Sequence, residues 1–223
     1  MLGILAGILV GLGDIALLLL QEENKYIGAF IFVLALATII QMDLNLYTGK
    51  AGFFLSDYKK QDLSLMTFFI KKAWYLIKVL IENLIGVASV FFLFLCVQPN
   101  NILLKAINIA RLKFSCDIKY IFVMSILCGV CVYIACGFKN FKKKEFDLRP
   151  LIIILAIMCF ILSGFRHCIA DFPYFVLNLY LKRYEIKYNI FLDVIKFIFM
   201  ILGNTIGAII INLIWESAKP SSK

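Results

Sequence analysis

The sequence predicts an all-α membrane protein of six transmembrane helices, built as two inverted three-helix halves whose second and fifth helices are broken. Three observations point there. The 223 residues are 63% hydrophobic and 17% charged, with 21 Phe and four Pro. The apolar residues gather into six long runs. Two of those runs are interrupted by short polar stretches at corresponding places in the chain. A water-soluble domain of this length could not hide so much apolar surface, because about half of its residues must face water. Hydrocarbon as the solvent removes that conflict, and about 20 apolar residues cross its roughly 30 Å.

The runs cover residues 2–20, 26–40, 73–96, 120–138, 150–164 and 190–215. The first has no basic segment before it and no small-x-small cleavage site before Gln21, so it reads as a span rather than a secretory leader. The second run stops at Met42, passes through Asp43-Leu44-Asn45-Leu46-Tyr47-Thr48-Gly49-Lys50, and resumes briefly to Leu55. The third carries Glu82-Asn83-Leu84-Ile85-Gly86. The fifth breaks at Gly164-Phe165-Arg166-His167-Cys168-Ile169-Ala170-Asp171 and continues as Phe172-Pro173-Tyr174-Phe175-Val176-Leu177. The sixth carries Gly203-Asn204-Thr205-Ile206-Gly207, echoing the Asn-x-Ile-Gly of the third.

Backbone polar groups in hydrocarbon must be satisfied within the segment, so a broken helix belongs where protein or a water-filled cavity covers it. One break in the second helix of each half is the mark of an inverted repeat with a site near the membrane midplane. The halves fall at about 1–98 and 119–217 within a single transmembrane domain. In each half the Asn can hold unwound backbone while the Gly lets helices approach. A plain kinked fifth helix, with Thr48 and Lys50 in an ordinary loop, also fits these residues.

The formal net charge is +9, but the basic residues sit mainly between spans, which speaks for a membrane rather than nucleic acid. Segments 56–72 and 139–149, with Lys219 and Lys223, carry eleven Lys/Arg. The opposite segments hold eight: Lys25, Lys105, Arg111, Lys113, Lys119, Lys182, Arg183 and Lys187. This excess predicts that both termini are cytoplasmic.

Most of the seven Cys lie inside spans, where Cys acts as a small hydrophobe. Cys128 and Cys131 form a C-x-x-C without a second pair or a nearby His, so neither a metal nor an organic cofactor is expected. Cys96 and Cys116 could share an outer loop and pair. His167 is the only histidine, and it falls in a broken intramembrane segment, where an ionisable side chain is a functional candidate first. Its ordinary pKa near 6.5 suits proton exchange between about pH 5 and 8. A hydrogen-bonded structural His is the alternative. One His, with no Asp-x-Asp and no His-Glu-x-x-His, leaves too few parts for an intramembrane enzyme.

Leu46-Tyr47-Thr48-Gly49, the Gly-Phe-x-His segment ending at Asp171, Gly203-Asn204-Thr205-Ile206-Gly207, and Ala6-Gly7 with Gly11-Leu12-Gly13 together resemble the formate/nitrite transporter family. The resemblance covers nearly the whole chain. Members of that family move formate, nitrite or hydrosulfide through aquaporin-like protomers arranged as pentamers. The resemblance therefore implies a homopentameric, multi-pass protein of a bacterial inner membrane, carrying a small monovalent anion and linked to protons through a central histidine. It implies a permeation path formed by His167, facing Thr48, with Leu46 and Tyr47 at the cytoplasmic slit. Phe32, Leu36 and Phe160 would close the opposite constriction, Asn204 would steady the broken helix, and Lys113 would lie in the outer vestibule.

The chain departs from the family pattern at Arg166, where Glu is usual, and at Asn45, again in place of Glu. Lys50 replaces Asn, while Asp14 and Asp43 put acids at usually apolar or small positions. The amphipathic helix that usually precedes the first span is missing. A buried Arg166 or Lys50 would need a carboxylate, and Asp14, Asp43, Glu82 and Asp171 are the available acids. An aquaporin-like pore for small neutral solutes, or a non-conducting relative of the family, are the competing readings.

Overall fold

The computed structural model describes residues 1–53, 57–58, 64–137, 148–182 and 189–218. Most of the basic segment 139–149, with Lys219 and Lys223, lies outside them. The described residues are helical, without a strand. The helices are α1 (Leu2–Gln41), α2 (Tyr47–Ala51), α3 (Leu65–Cys96), α4 (Asn100–Ser115), α5 (Ile118–Gly137), α6 (Arg149–Leu162), α7 (Phe172–Lys182) and α8 (Ile190–Ala218). Among the described residues, α1, α3, α5 and α8 are long and apolar enough to cross a membrane, and α6 and α7 are shorter apolar helices.

The 40-residue α1 is not one rod. Asn24 leaves helical geometry at φ −156°, ψ 93°. Its Oδ1 accepts hydrogen bonds from the N–H groups of Tyr26 and Ile27 at 3.1 and 3.2 Å, which caps a new helix start. Beyond that cap the chain doubles back. Gly13 lies against the Phe32 ring, and Gly28 against Leu17 and Leu20. α1 is thus a pair of antiparallel helices meeting at Asn24, which agrees with runs 2–20 and 26–40 read as separate.

Two helix pairs form the frame, α1 with α3 and α5 with α8. Glycines set how closely each pair approaches. A Cβ on Gly86 would strike the Ile4 carbonyl oxygen, and one on Gly7 the Asn83 carbonyl oxygen. In the other pair, a Cβ on Gly207 would strike the Ile126 carbonyl oxygen, and one on Gly129 that of Asn204. Backbone contact of this kind gains dispersion where lipid removes any hydrophobic drive between helices.

The second hydrophobic run leaves its helix at Met42 and turns through Asp43, which takes a left-handed φ of 53°. α2 then starts from an extended Leu46. The fifth run ends as α6 at Leu162 and turns at Gly164, φ 68°, a conformation that costs glycine nothing. The chain stays non-helical until α7, where Pro173 sits in the first turn and lacks no hydrogen bond there. The core lies between the two pairs, with Phe32, Phe91, Phe114, Leu18 and Leu36 among its fully buried side chains.

α4 does not appear among the sequence expectations. Ala106, Ala110 and Phe114, spaced by four, bury one stripe of it, and it packs on α7. The Cys96 and Cys116 thiols on either side of it are both free.

Candidate functional site

The two breaks come together, and each is held by one asparagine. Asn83 on α3 accepts the Tyr47 N–H at Oδ1 (2.8 Å) and donates from Nδ2 to the carbonyls of Asn45 and Gly3, both at 2.8 Å. Asn204 on α8 accepts the Cys168 N–H at Oδ1 (2.8 Å). Its Nδ2 donates to the carbonyls of Arg166 (2.7 Å) and Ser125 (2.8 Å). Both side chains are buried. Each uses its three bonds on backbone groups that unwinding had orphaned, which is what water-free burial demands.

This anchoring brings Thr48 of α2 against His167 of the second break, with Oγ1 3.0 Å from Nε2. Neither is exposed to solvent. The Ala170 N–H donates to His167 Nδ1 at 3.2 Å. Nδ1 therefore presents its lone pair, and in the neutral ring the proton sits on Nε2, facing the Thr48 oxygen. With Thr48 accepting, its own hydroxyl proton is left to donate to a third group.

Phe160, near the end of α6, stacks on the His167 ring with centroids 5.8 Å apart. Phe32 meets Phe160 edge to face at 5.9 Å. Leu36, one turn beyond Phe32 on the same helix, is buried beside them. Leu46 and Tyr47 are buried at the start of α2, and the Tyr47 hydroxyl lies 2.8 Å from Thr205 Oγ1 on α8.

Phe32, Phe160 and His167 form one wall of a cavity of about 430 Å³, whose lining also includes Asp14, Lys113, Asp171 and Tyr174. Lys113, in the last turn of α4, is ion-paired with Asp171 Oδ1 and lies 5.2 Å from the centre of the Tyr174 ring. Arg166 approaches the other carboxylate oxygen of Asp171 at 3.6 Å and donates from Nη2 to the Lys113 carbonyl at 3.0 Å. Asp171 therefore faces two cations, and both belong to this one corner. Of the other acids, Asp43 pairs with Lys50 at 3.3 Å, and Glu82 accepts the Gly3 N–H at 3.0 Å. Asp14 is buried, and its Oδ2 has no hydrogen-bond partner among the described residues.

A second buried polar group escaped the sequence reading. Lys196 on α8 donates to the Phe114 carbonyl at 2.6 Å and sits 3.5 Å from Asp193. Asn178 of α7 donates to Asp193 Oδ2 at 2.5 Å. The cluster ties α4, α7 and α8 together behind the Lys113 corner. Its sequence signal was an Asp and a Lys three residues apart inside an apolar run, positions that share a helix face. No three His, Cys, Asp or Glu side chains among the described residues converge in a way that could hold a metal ion.

Comparison with known proteins follows the same line. The family model described as "Formate/nitrite transporter" matches residues 1–216. A solved structure titled "FNT family ion channel" superposes with a TM-score of 0.78 at 22% identity, covering 98% of this chain and 88% of that one. Another, titled "Pentameric formate channel with formate bound", gives a TM-score of 0.70 at 20% identity, covering 97% and 92%. At such identities the likeness is one of fold. No curated protein matches. Because the family match spans nearly its whole length, the chain belongs to the formate/nitrite transporter family, a family of transporters rather than enzymes.

Proposed function

We propose that the chain is a transmembrane channel for a small monovalent anion, formate, nitrite or hydrosulfide, with His167 and Thr48 at the centre of the path. The observation that carries this is the hydrogen bond between those two residues where the broken helices meet, beside a Phe32–Phe160 constriction and a polar cavity. An apolar constriction rejects a bare anion, because desolvating an isolated charge is costly. The spare Thr48 hydroxyl proton and the His167 N–H supply donors to the anion as it arrives. A proton shared with the imidazole lets the substrate pass as a neutral or paired species.

The same reading makes six crossings of the membrane: the two antiparallel parts of α1, then α3, α5, the α6–α7 pair and α8. It makes them an aquaporin-like inverted repeat of two halves, about 1–98 and 119–217. Support for the repeat comes from the asparagine anchors. Asn45 and Arg166, Tyr47 and Cys168, and Asn83 and Asn204 each lie 121 residues apart, and each pair takes equivalent places in the two bonding patterns. Leu46 and Tyr47 line the cytoplasmic side, Phe32, Leu36 and Phe160 the outer side, and Lys113 the vestibule. The likeness to a structure titled as a pentameric formate channel supports a homopentamer in a bacterial inner membrane, with both termini cytoplasmic.

The test is flux into proteoliposomes of formate, nitrite and hydrosulfide at about pH 5.5 and 7.5, either side of an ordinary histidine pKa. Anion-specific, pH-dependent uptake is the expected outcome. Osmotic swelling without anion uptake would favour a neutral-solute pore, and no flux at all a non-conducting relative.

A further inference from the structure

The cavity outside the constriction is not a cationic funnel. Its lining includes three acids, Asp14, Glu22 and Asp171, against two bases, Lys25 and Lys113. Lys113, the charge best placed to draw anions inward, is spent on Asp171, which Arg166 also approaches. Asp14 projects from α1 into the same space, next to the turn of helix that carries Gly13 against the Phe32 ring. Only 3% of it is exposed, and its Oδ2 has no hydrogen-bond partner among the described residues. The charges of Lys113 and Asp171 both act on it, across the cavity corner that Tyr174 closes.

An unmet carboxylate oxygen beside a cavity calls for a donor. A bare anion cannot supply one, and it is repelled by two carboxylates at this depth. A small weak acid that carries its proton can donate its O–H or S–H to Asp14 and enters without net charge. We propose that Asp14 is a selectivity residue of the path, accepting the protonated form of a small weak acid and rejecting permanently ionised anions before they reach the Phe32–Phe160 constriction. The inference rests on the channel reading above and adds the step at which the chemical form of the substrate is chosen.

The experiment compares uptake of formate, a weak acid, with uptake of nitrate, which stays ionised, into proteoliposomes at one fixed pH. Wild type should take up formate in clear preference to nitrate. Asp14→Asn removes the charge, keeps the shape and adds a donor for anions. It should raise the nitrate-to-formate ratio by about tenfold, as expected when one like charge is taken from a desolvated contact. Asp14→Glu restores the carboxylate and should return the ratio to the wild-type value. Equal rises in both fluxes, leaving the ratio unchanged, would make Asp14 a general brake on anions and overturn the proposal. Asp14→Ser is the second neutral variant, and failure of both neutral variants to assemble in detergent would make Asp14 a folding residue and overturn it too. Wild-type vesicles that take up no anion would instead remove the channel reading on which it rests.

Discussion

His167 is held at both ring nitrogens, by the Ala170 N–H on one side and Thr48 on the other. Asn at this position can still accept and donate but cannot titrate between about pH 5 and 8. His167→Asn should therefore assemble normally and lose the pH dependence of anion flux, which liposome uptake across that range checks. An unchanged pH profile would return His167 to a structural role. Arg166 presents a different kind of test. It is buried against Asp171, and removing one partner of such a pair costs about 3–5 kcal/mol when the other charge is left alone. Asp171 keeps Lys113, so Arg166→Ala should fall near the low end, about 3 kcal/mol, seen as a lower melting temperature of the purified oligomer. Neutralising Asp171 as well should recover part of the loss, because coupled sites do not add. A stable but poorly conducting Arg166→Ala would point to direct anion attraction instead. From sequence, Arg166 plainly needed an acid. Which of four acids met it could not be read, since Asp14, Asp43, Glu82 and Asp171 come from three different elements and a break, and only packing decides among them.

At the scale of elements, both broken helices depend on one amide. Asn83→Ala or Asn204→Ala would each orphan a buried N–H and two carbonyls, at about 1–3 kcal/mol for each group left without a partner. Each variant should lower the melting temperature and reduce flux together, whereas Asn45→Ala, which leaves its own backbone carbonyl in place, should do much less. Thermal unfolding of the three proteins side by side checks this, and equal losses in all three would sink it. The breaks were legible because polar residues interrupt long apolar runs at matching places. So were the asparagines, through the repeated Asn-x-Ile-Gly. α4 was not. Its apolar stripe is short, is broken by Lys105 and Arg111, and lies between spans, where the apolar-run signal that marks crossings is weak. The Asn178–Asp193–Lys196 cluster was hidden for the opposite reason: the apolar run around it is strong enough that its charges read as interruptions rather than as a site.

For the whole molecule, the charge pattern and the helix order lead to one orientation. With native Cys replaced, an impermeant thiol reagent applied to intact cells should label Asn101→Cys, which is exposed at the start of α4. It should spare Ser217→Cys, exposed at the end of α8. Labelling in the reverse pattern would invert the topology while leaving the fold intact. The surface agrees with a lipid setting. Large apolar side chains such as Trp74, Leu93, Leu112 and Phe191 stand exposed on the outside of the helices, while Asp14, Arg166, His167, Asp171 and Lys196 lie within. A protein folded for water sorts its residues the other way.

The reversal at Asn24 has a consequence for how the protein is made. A ribosome feeding this chain into the bilayer delivers residues 2–20 first, yet they reach antiparallel partners on residues 26–40 with a single non-helical residue between. No tether remains to hold the first segment in place while the second waits. The two must integrate as one hairpin, carrying Glu22, Glu23 and Lys25 across at its tip. A nascent chain truncated after residue 20 should therefore be extracted from membranes by alkaline carbonate, while one that reaches residue 41 resists. Equal resistance of the two would show that the first segment anchors alone.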